Sequence, residues 1–174
     1  YEVLWKGVEE HVENDLPKSA LEVLSNIRRK ALAEGNDAQL LKASLVMRQM
    51  HEDVSADSGK VALRRMEEAL ARETRPVERA LWQSALGQQY ASMSSLWNPD
   101  TAAQRRADEL LRASISDVEL LASTKAAAYM PLFKKGKDSK TFGDNLLSVL
   151  FPAARTGVSS MGTGELREFF KRTA

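Results

Sequence analysis

Apolar residues recur every third or fourth position through most of the chain, the spacing that gives an α-helix one buried face. Leu4, Val8 and Val12, with Trp5 beside them, predict an amphipathic helix over residues 2–14. Asp15 then precedes Pro17, which suits a first helical turn where a missing N–H costs nothing. The second helix is expected to reach about Ala33, to bury Leu21, Leu24, Ile27 and Ala31, and to stop at Gly35-Asn36. Asn36 with Gln39 predicts a capping-box start for a third helix, through Leu40, Ala43, Met47 and Met50. A turn is expected over residues 55–59, then a fourth helix burying Val61 or Ala62, Met66, Ala69 and Leu70. Pro76 opens a fifth helix, running to Trp97, with apolar residues on more than one face. Such a helix needs cover on both flanks.

Asn98-Pro99-Asp100 breaks the pattern, and Thr101 with Gln104 is expected to cap the next helix. Residues 102–130 read as one long or one broken helix, weakest at Ser114 to Ser116 and ended by Tyr129-Met130-Pro131. A basic loop at 136–139, a helix over 141–154 and a glycine-rich linker over 157–164 follow. From Glu165 a short helix would place Leu166, Phe169 and Phe170 on one face. Behind that linker both phenylalanines are expected to be under-covered, either mobile or packed against a neighbouring molecule. The helix starts recur in pairs at a period of about 40 residues, which predicts stacked antiparallel helical hairpins. The stretch from Ala80-Leu81-Trp82 to Leu86-Gly87-x-x-Tyr90 resembles the tetratricopeptide pattern, with Trp82 one residue out of register. The expected organisation is a helical-hairpin domain over residues 1–156. Residues 157–174 would be a linker and short helix leading into a downstream region absent from this chain.

Composition sharpens the fold class. The 174 residues include 23 Ala and 22 Leu against 11 Val and 2 Ile, a balance that favours helix over strand. The fold class predicted is therefore all-α, a tetratricopeptide-like α-α superhelix. Twenty-five basic and 24 acidic residues leave a net charge of +1, which removes the bulk electrostatic case for nucleic acid or anionic membrane. No apolar run approaches the roughly 20 residues needed to span a bilayer. Cysteine is absent, which excludes disulfides, thiol nucleophiles, Cys-ligated zinc and an internal thioester within this stretch. The chain begins at Tyr1 with no signal-like segment and reads as a piece of something longer.

Candidate chemistry is sparse. His11 lies among Glu9, Glu10 and Glu13, and His51 precedes Glu52 and Asp53. Neither forms the His-Glu-x-x-His pair of a zinc protease, so both read as helix surface. Serines at 92, 94, 95, 114, 116, 159 and 160 lack a nucleophile elbow and read as caps and helix contacts. Gly157 to Thr163 has the glycine spacing of a phosphate loop but no lysine and no preceding strand, so it reads as a hinge. Lys134, Lys135, Lys137 and Lys140 make a basic run without interleaved aromatics, a solvated loop. Trp5, Trp82 and Trp97, with Met47, Met50, Met66 and Met93, fall at helical spacings and read as core filler. No catalytic, cofactor-binding or metal residue is assigned, and an enzyme is not expected.

Two stretches resemble a known family. Trp5-Lys6, then Asp15-Leu16-Pro17-Lys18-Ser19-Ala20-Leu21-Glu22-Val23, then Gln39-Leu40-Leu41-Lys42-Ala43 are similar to a region near the N-terminus of bacterial α2-macroglobulin-like proteins of the cell envelope. Tyr129-Met130-Pro131-Leu132, Gly136-Lys137-Asp138-Ser139 and Phe142-x-x-x-Leu146-Leu147 resemble a later stretch of the same helical region. The resemblance implies a helical region ahead of macroglobulin β-sandwich domains, in a protein that traps or inhibits proteases at the cell envelope. The family's bait region and thioester lie downstream and have no counterpart here, so no functional residue carries over. The expected function is a non-catalytic scaffold or interaction domain of such a protein, with protein partners and no cofactor. The alternative is an independent helical-repeat module that binds a protein or peptide in a concave groove. Asp15 itself is expected to cap the second helix, with Leu16 packing back as a staple.

Overall fold

The computed structural model describes residues 1–94, 100–132 and 144–158. The fifth helix ends at Met93, where Ser94 turns to extended backbone, short of the expected Trp97. The Asn98-Pro99 break, the Lys134–Lys140 run and the Phe169/Phe170 tail lie outside the described residues. The fold is all-α, a stack of helical hairpins with no strand among the described residues. A lone bridge pairs Lys125 with Asn145.

The described helices gather into two compact units. The first is built on Tyr1–Arg72: α1 (Glu2–Glu13), α2 (Pro17–Glu34), α3 (Asp37–Val54) and α4 (Ala56–Arg72). Each packs on the next in the chain. Val8, Ala20, Leu24, Ile27, Ala43 and Met50 form its core, with Leu4, Trp5, Leu21, Val23, Val46 and Met47 partly buried around them. Leu24 and Ile27 are wholly buried, worth roughly 1.5–3 kcal/mol each. Ala20 takes a core position that periodicity had given to Leu21. Leu16 and Val61 are exposed, so Leu16 does not staple and Ala62 is the buried member of its pair.

The α1–α2 joint differs from the sequence expectation. Asp15 does not cap α2; it sits in the left-handed region at φ 56°, and the N-cap position belongs to Leu16, whose side chain makes no capping bond. The N–H of Asp15 donates to Val12 O (3.1 Å) and that of Leu16 to His11 O (2.9 Å). These bonds close the C-terminus of α1, so Asp15 ends the preceding helix instead of starting the next. Gly35 (φ 63°) makes the same closure after α2, with Asn36 N–H donating to Ala31 O (2.9 Å). Asp tolerates the left-handed conformation better than most residues, and a β-branched residue does not. In urea titrations, Asp15→Gly is expected to hold or raise the unfolding midpoint. Asp15→Val should lower it by the equivalent of about 1–2 kcal/mol. Equal losses from both would contradict the assignment.

The α3–α4 joint is also tighter than expected. Only Ser55 interrupts the two helices, accepting from Ser58 N–H (3.1 Å), and Gly59 lies inside α4 instead of in a turn. A Cβ on Gly59 would stand 3.2 Å from the Glu52 Cα. Glycine here lets the two backbones approach.

The second unit is built on Glu73–Ala128 and carries α5 (Pro76–Met93), α6 (Thr101–Ala113), α7 (Val118–Ser123) and α8 (Leu146–Val158). In α5, residues 80–82 and 84–87 are all buried, and both α6 and α8 pack on it, as its many-sided apolar pattern required. The cap of α6 is Asp100, which accepts from Ala102 and Ala103 N–H (3.1 and 2.9 Å); Thr101 is its first residue. The helix breaks after Ala113, at the expected weak point, and Asp117 caps α7 through Leu120 N–H (3.1 Å). A 3-10 turn, Ala126–Leu132, follows in sequence. The expected helix over 141–154 begins at Leu146, capped by Asn145, and continues through Gly157 to Val158. Gly157 is therefore helical, and the rest of the expected linker lies outside the described residues.

Candidate functional site

Two arrangements in the first unit carry unusual chemistry. The first ties α1 to α3. The Trp5 indole N–H donates to Gln39 Oε1 at 2.7 Å, and the Lys42 ammonium stands 4.1 Å from the centroid of the Trp5 ring. Gln39 is buried, so its amide oxygen relies on Trp5 where a buried acceptor needs a donor. The sequence placed Gln39 in a capping box. Its N–H does donate to Asn36 Oδ1 (3.1 Å), but its side chain turns to Trp5 instead of back to the cap. Nothing local announces a contact across 34 residues.

The second is a cleft of about 250 Å³ at the α3–α4 hairpin, lined by His51, Asp57, Ser58, Val61, Ala62 and Arg65. His51 comes from the last turn of α3, and the other five from successive turns of α4. The short Ser55 joint folds the two sets together. His51 is partly buried, and not the fully solvated surface group the sequence suggested. Burial, and then the Arg65 charge, push its imidazole below the usual histidine range. Asp57, which lines the same cleft, is exposed and pairs with Lys60 at 3.3 Å. Ser58 Oγ accepts the Ser55 hydroxyl (2.8 Å), which leaves its own proton to donate.

The remaining candidates resolve into structural roles. The hydroxyls of Ser92, Ser114 and Ser116 donate to helix carbonyls at Gln89, Leu111 and Ala113 (2.7–2.9 Å), the contacts expected of them. Trp82, Met50 and Met66 are buried in the core, whereas Met93 is 38% exposed. Among the described residues no group of three or more His, Cys, Asp or Glu is placed to hold a metal ion. No described helix is long and apolar enough to cross a membrane.

No family model matches the chain, and no curated protein or solved structure matches it either.

Proposed function

We propose that this chain is a non-catalytic helical scaffold and interaction domain of a larger α2-macroglobulin-like protein that acts at the cell envelope. One observation carries the reading. The separate stretches whose residues resemble that family, around Trp5, Asp15–Val23 and Gln39–Ala43, meet in one tertiary arrangement. Trp5 contacts Gln39 and Lys42 directly, the Asp15 joint sets α2 against α1, and Ala20 and Ala43 lie in the same core. Such a cluster accounts for why those residue types occur together in one helical region. The hairpin stack itself suits protein contact, because each exposed helix face is held rigidly by the packing beneath it.

An antibody raised against the purified chain tests the proposal on fractionated cells. The expected immunoblot shows a polypeptide several times larger than 19.3 kDa in the envelope fraction. A band of about that mass confined to the cytosol would overturn it.

A further inference from the structure

The cleft between α3 and α4 has a composition that selects its ligand. It brings one imidazole, one guanidinium, one hydroxyl and the Asp57 carboxylate against a wall of Val61 and Ala62. Among the described residues Arg65 makes no ion pair and the His51 ring no hydrogen bond. Their mutual influence is unfavourable, since a protonated His51 would face the Arg65 cation. An anion between them removes that penalty and supplies the acceptor both lack. Charge counting limits its size. Arg65 offers one permanent positive charge, the Asp57 carboxylate pairs with Lys60, and burial and the Arg65 charge disfavour a positive charge on His51. One negative charge balances the cleft, and two do not. Arg65 presents a planar fork that matches the two oxygens of a carboxylate, and the Val61 and Ala62 methyls suit an alkyl stem behind it.

We propose that the α3–α4 cleft binds a carboxylate, with Arg65 and Ser58 donating to its oxygens, His51 at its side and its alkyl stem against Val61 and Ala62. The inference deepens the interaction-domain reading and rests on it for its biological sense: the carboxylate would be a side chain or C-terminus of a protein partner. The charged groups that line the cleft with His51 are Asp57 and Arg65 on α4, while Arg48 and Glu52, its neighbours along α3, are engaged with each other in a 2.9 Å ion pair. Arg65 is therefore the group whose removal should matter most.

The chain contains two histidines, so His11 serves as an internal control for an NMR titration of the imidazoles. Butyrate is expected to raise the His51 pKa by roughly one unit, because a nearby opposite charge favours the charged form, and to leave His11 unmoved. By linkage a one-unit rise means about tenfold tighter butyrate binding at acid pH than at neutral pH. Acetate, lacking the stem, should act more weakly, and Arg65→Gln, an exposed substitution, should abolish the response with the helix signal intact. No movement of His51, equal movement of His11, an unchanged response in Arg65→Gln, or a response to inorganic phosphate but not to butyrate would each overturn the proposal. These outcomes are separable from the parent reading. A cytosolic protein of 19 kDa that still shows the butyrate response would end the envelope assignment and leave the cleft standing.

Discussion

Replacing Gly87 by alanine is expected to destabilise the protein by about 1–3 kcal/mol, although alanine is the better helix former. Gly87 lies in the middle of α5, where intrinsic propensity alone predicts a gain of about 1 kcal/mol from the substitution. The local packing reverses that sign. A Cβ at position 87 would stand 2.7 Å from Leu111 Cγ, 2.9 Å from its Cδ2 and 3.2 Å from its backbone N. Leu111 is 1% exposed and lies on α6 where that helix packs against α5. The backbone nitrogen is the harder obstacle, since only a shift of α6 itself could relieve it. The check is a double substitution followed by urea titration. Gly87→Ala with Leu111→Ala should lose less than the two single losses added together, because the second change vacates the space the first requires. A stabilising Gly87→Ala, or simple additivity of the pair, would contradict this account of the α5–α6 contact.

A second large effect is expected at Trp5. Trp5→Phe keeps the ring's packing and part of the contact with Lys42, but it removes the donor to Gln39 Oε1. Leaving that buried amide unsatisfied costs about 1–3 kcal/mol. The asymmetry of hydrogen-bond energetics gives the control. Trp5→Phe combined with Gln39→Leu replaces both partners by apolar groups and should restore most of the loss. Gln39→Leu alone, which strands the indole N–H at a partly exposed position where water can reach it, should cost less than Trp5→Phe. If the double variant is as unstable as the two single losses summed, the bond at 2.7 Å is not what links α1 to α3.

These two positions show how unevenly the sequence discloses the structure. The helices are readable because their faces repeat every 3.6 residues, and Pro17, Gly35, Asn36 and Pro76 punctuate them with chemistry that has few alternatives. The joints are less readable because one residue type serves two purposes. Asp before Leu-Pro can cap the next helix or close the last one, and only the backbone at φ 56° shows that Asp15 does the second. Gly59 looks like a turn because glycine usually marks one, yet here it permits Glu52 to approach. Asp100 and Thr101 are both competent caps, and the sequence alone does not rank neighbours. Tertiary chemistry is the least legible. Trp5 and Gln39 share no local pattern, and the even seven-residue steps from His51 to Ser58 to Arg65 read as one face of a single helix, whereas the chain reverses at Ser55 and brings His51 to the other two from a different helix. Gly87 stood out through its place in a tetratricopeptide-like stretch, but its partner Leu111 is in the next helix, and no sequence spacing points to it.

The cell-envelope reading depends on what the domain belongs to, and the coding sequence around this stretch is the most direct test of it. Reading that sequence past the codon for Ala174 is expected to reveal β-strand-rich segments with the alternating pattern of macroglobulin sandwiches. A stop codon at that point, or a continuation into further helical hairpins alone, would contradict the account.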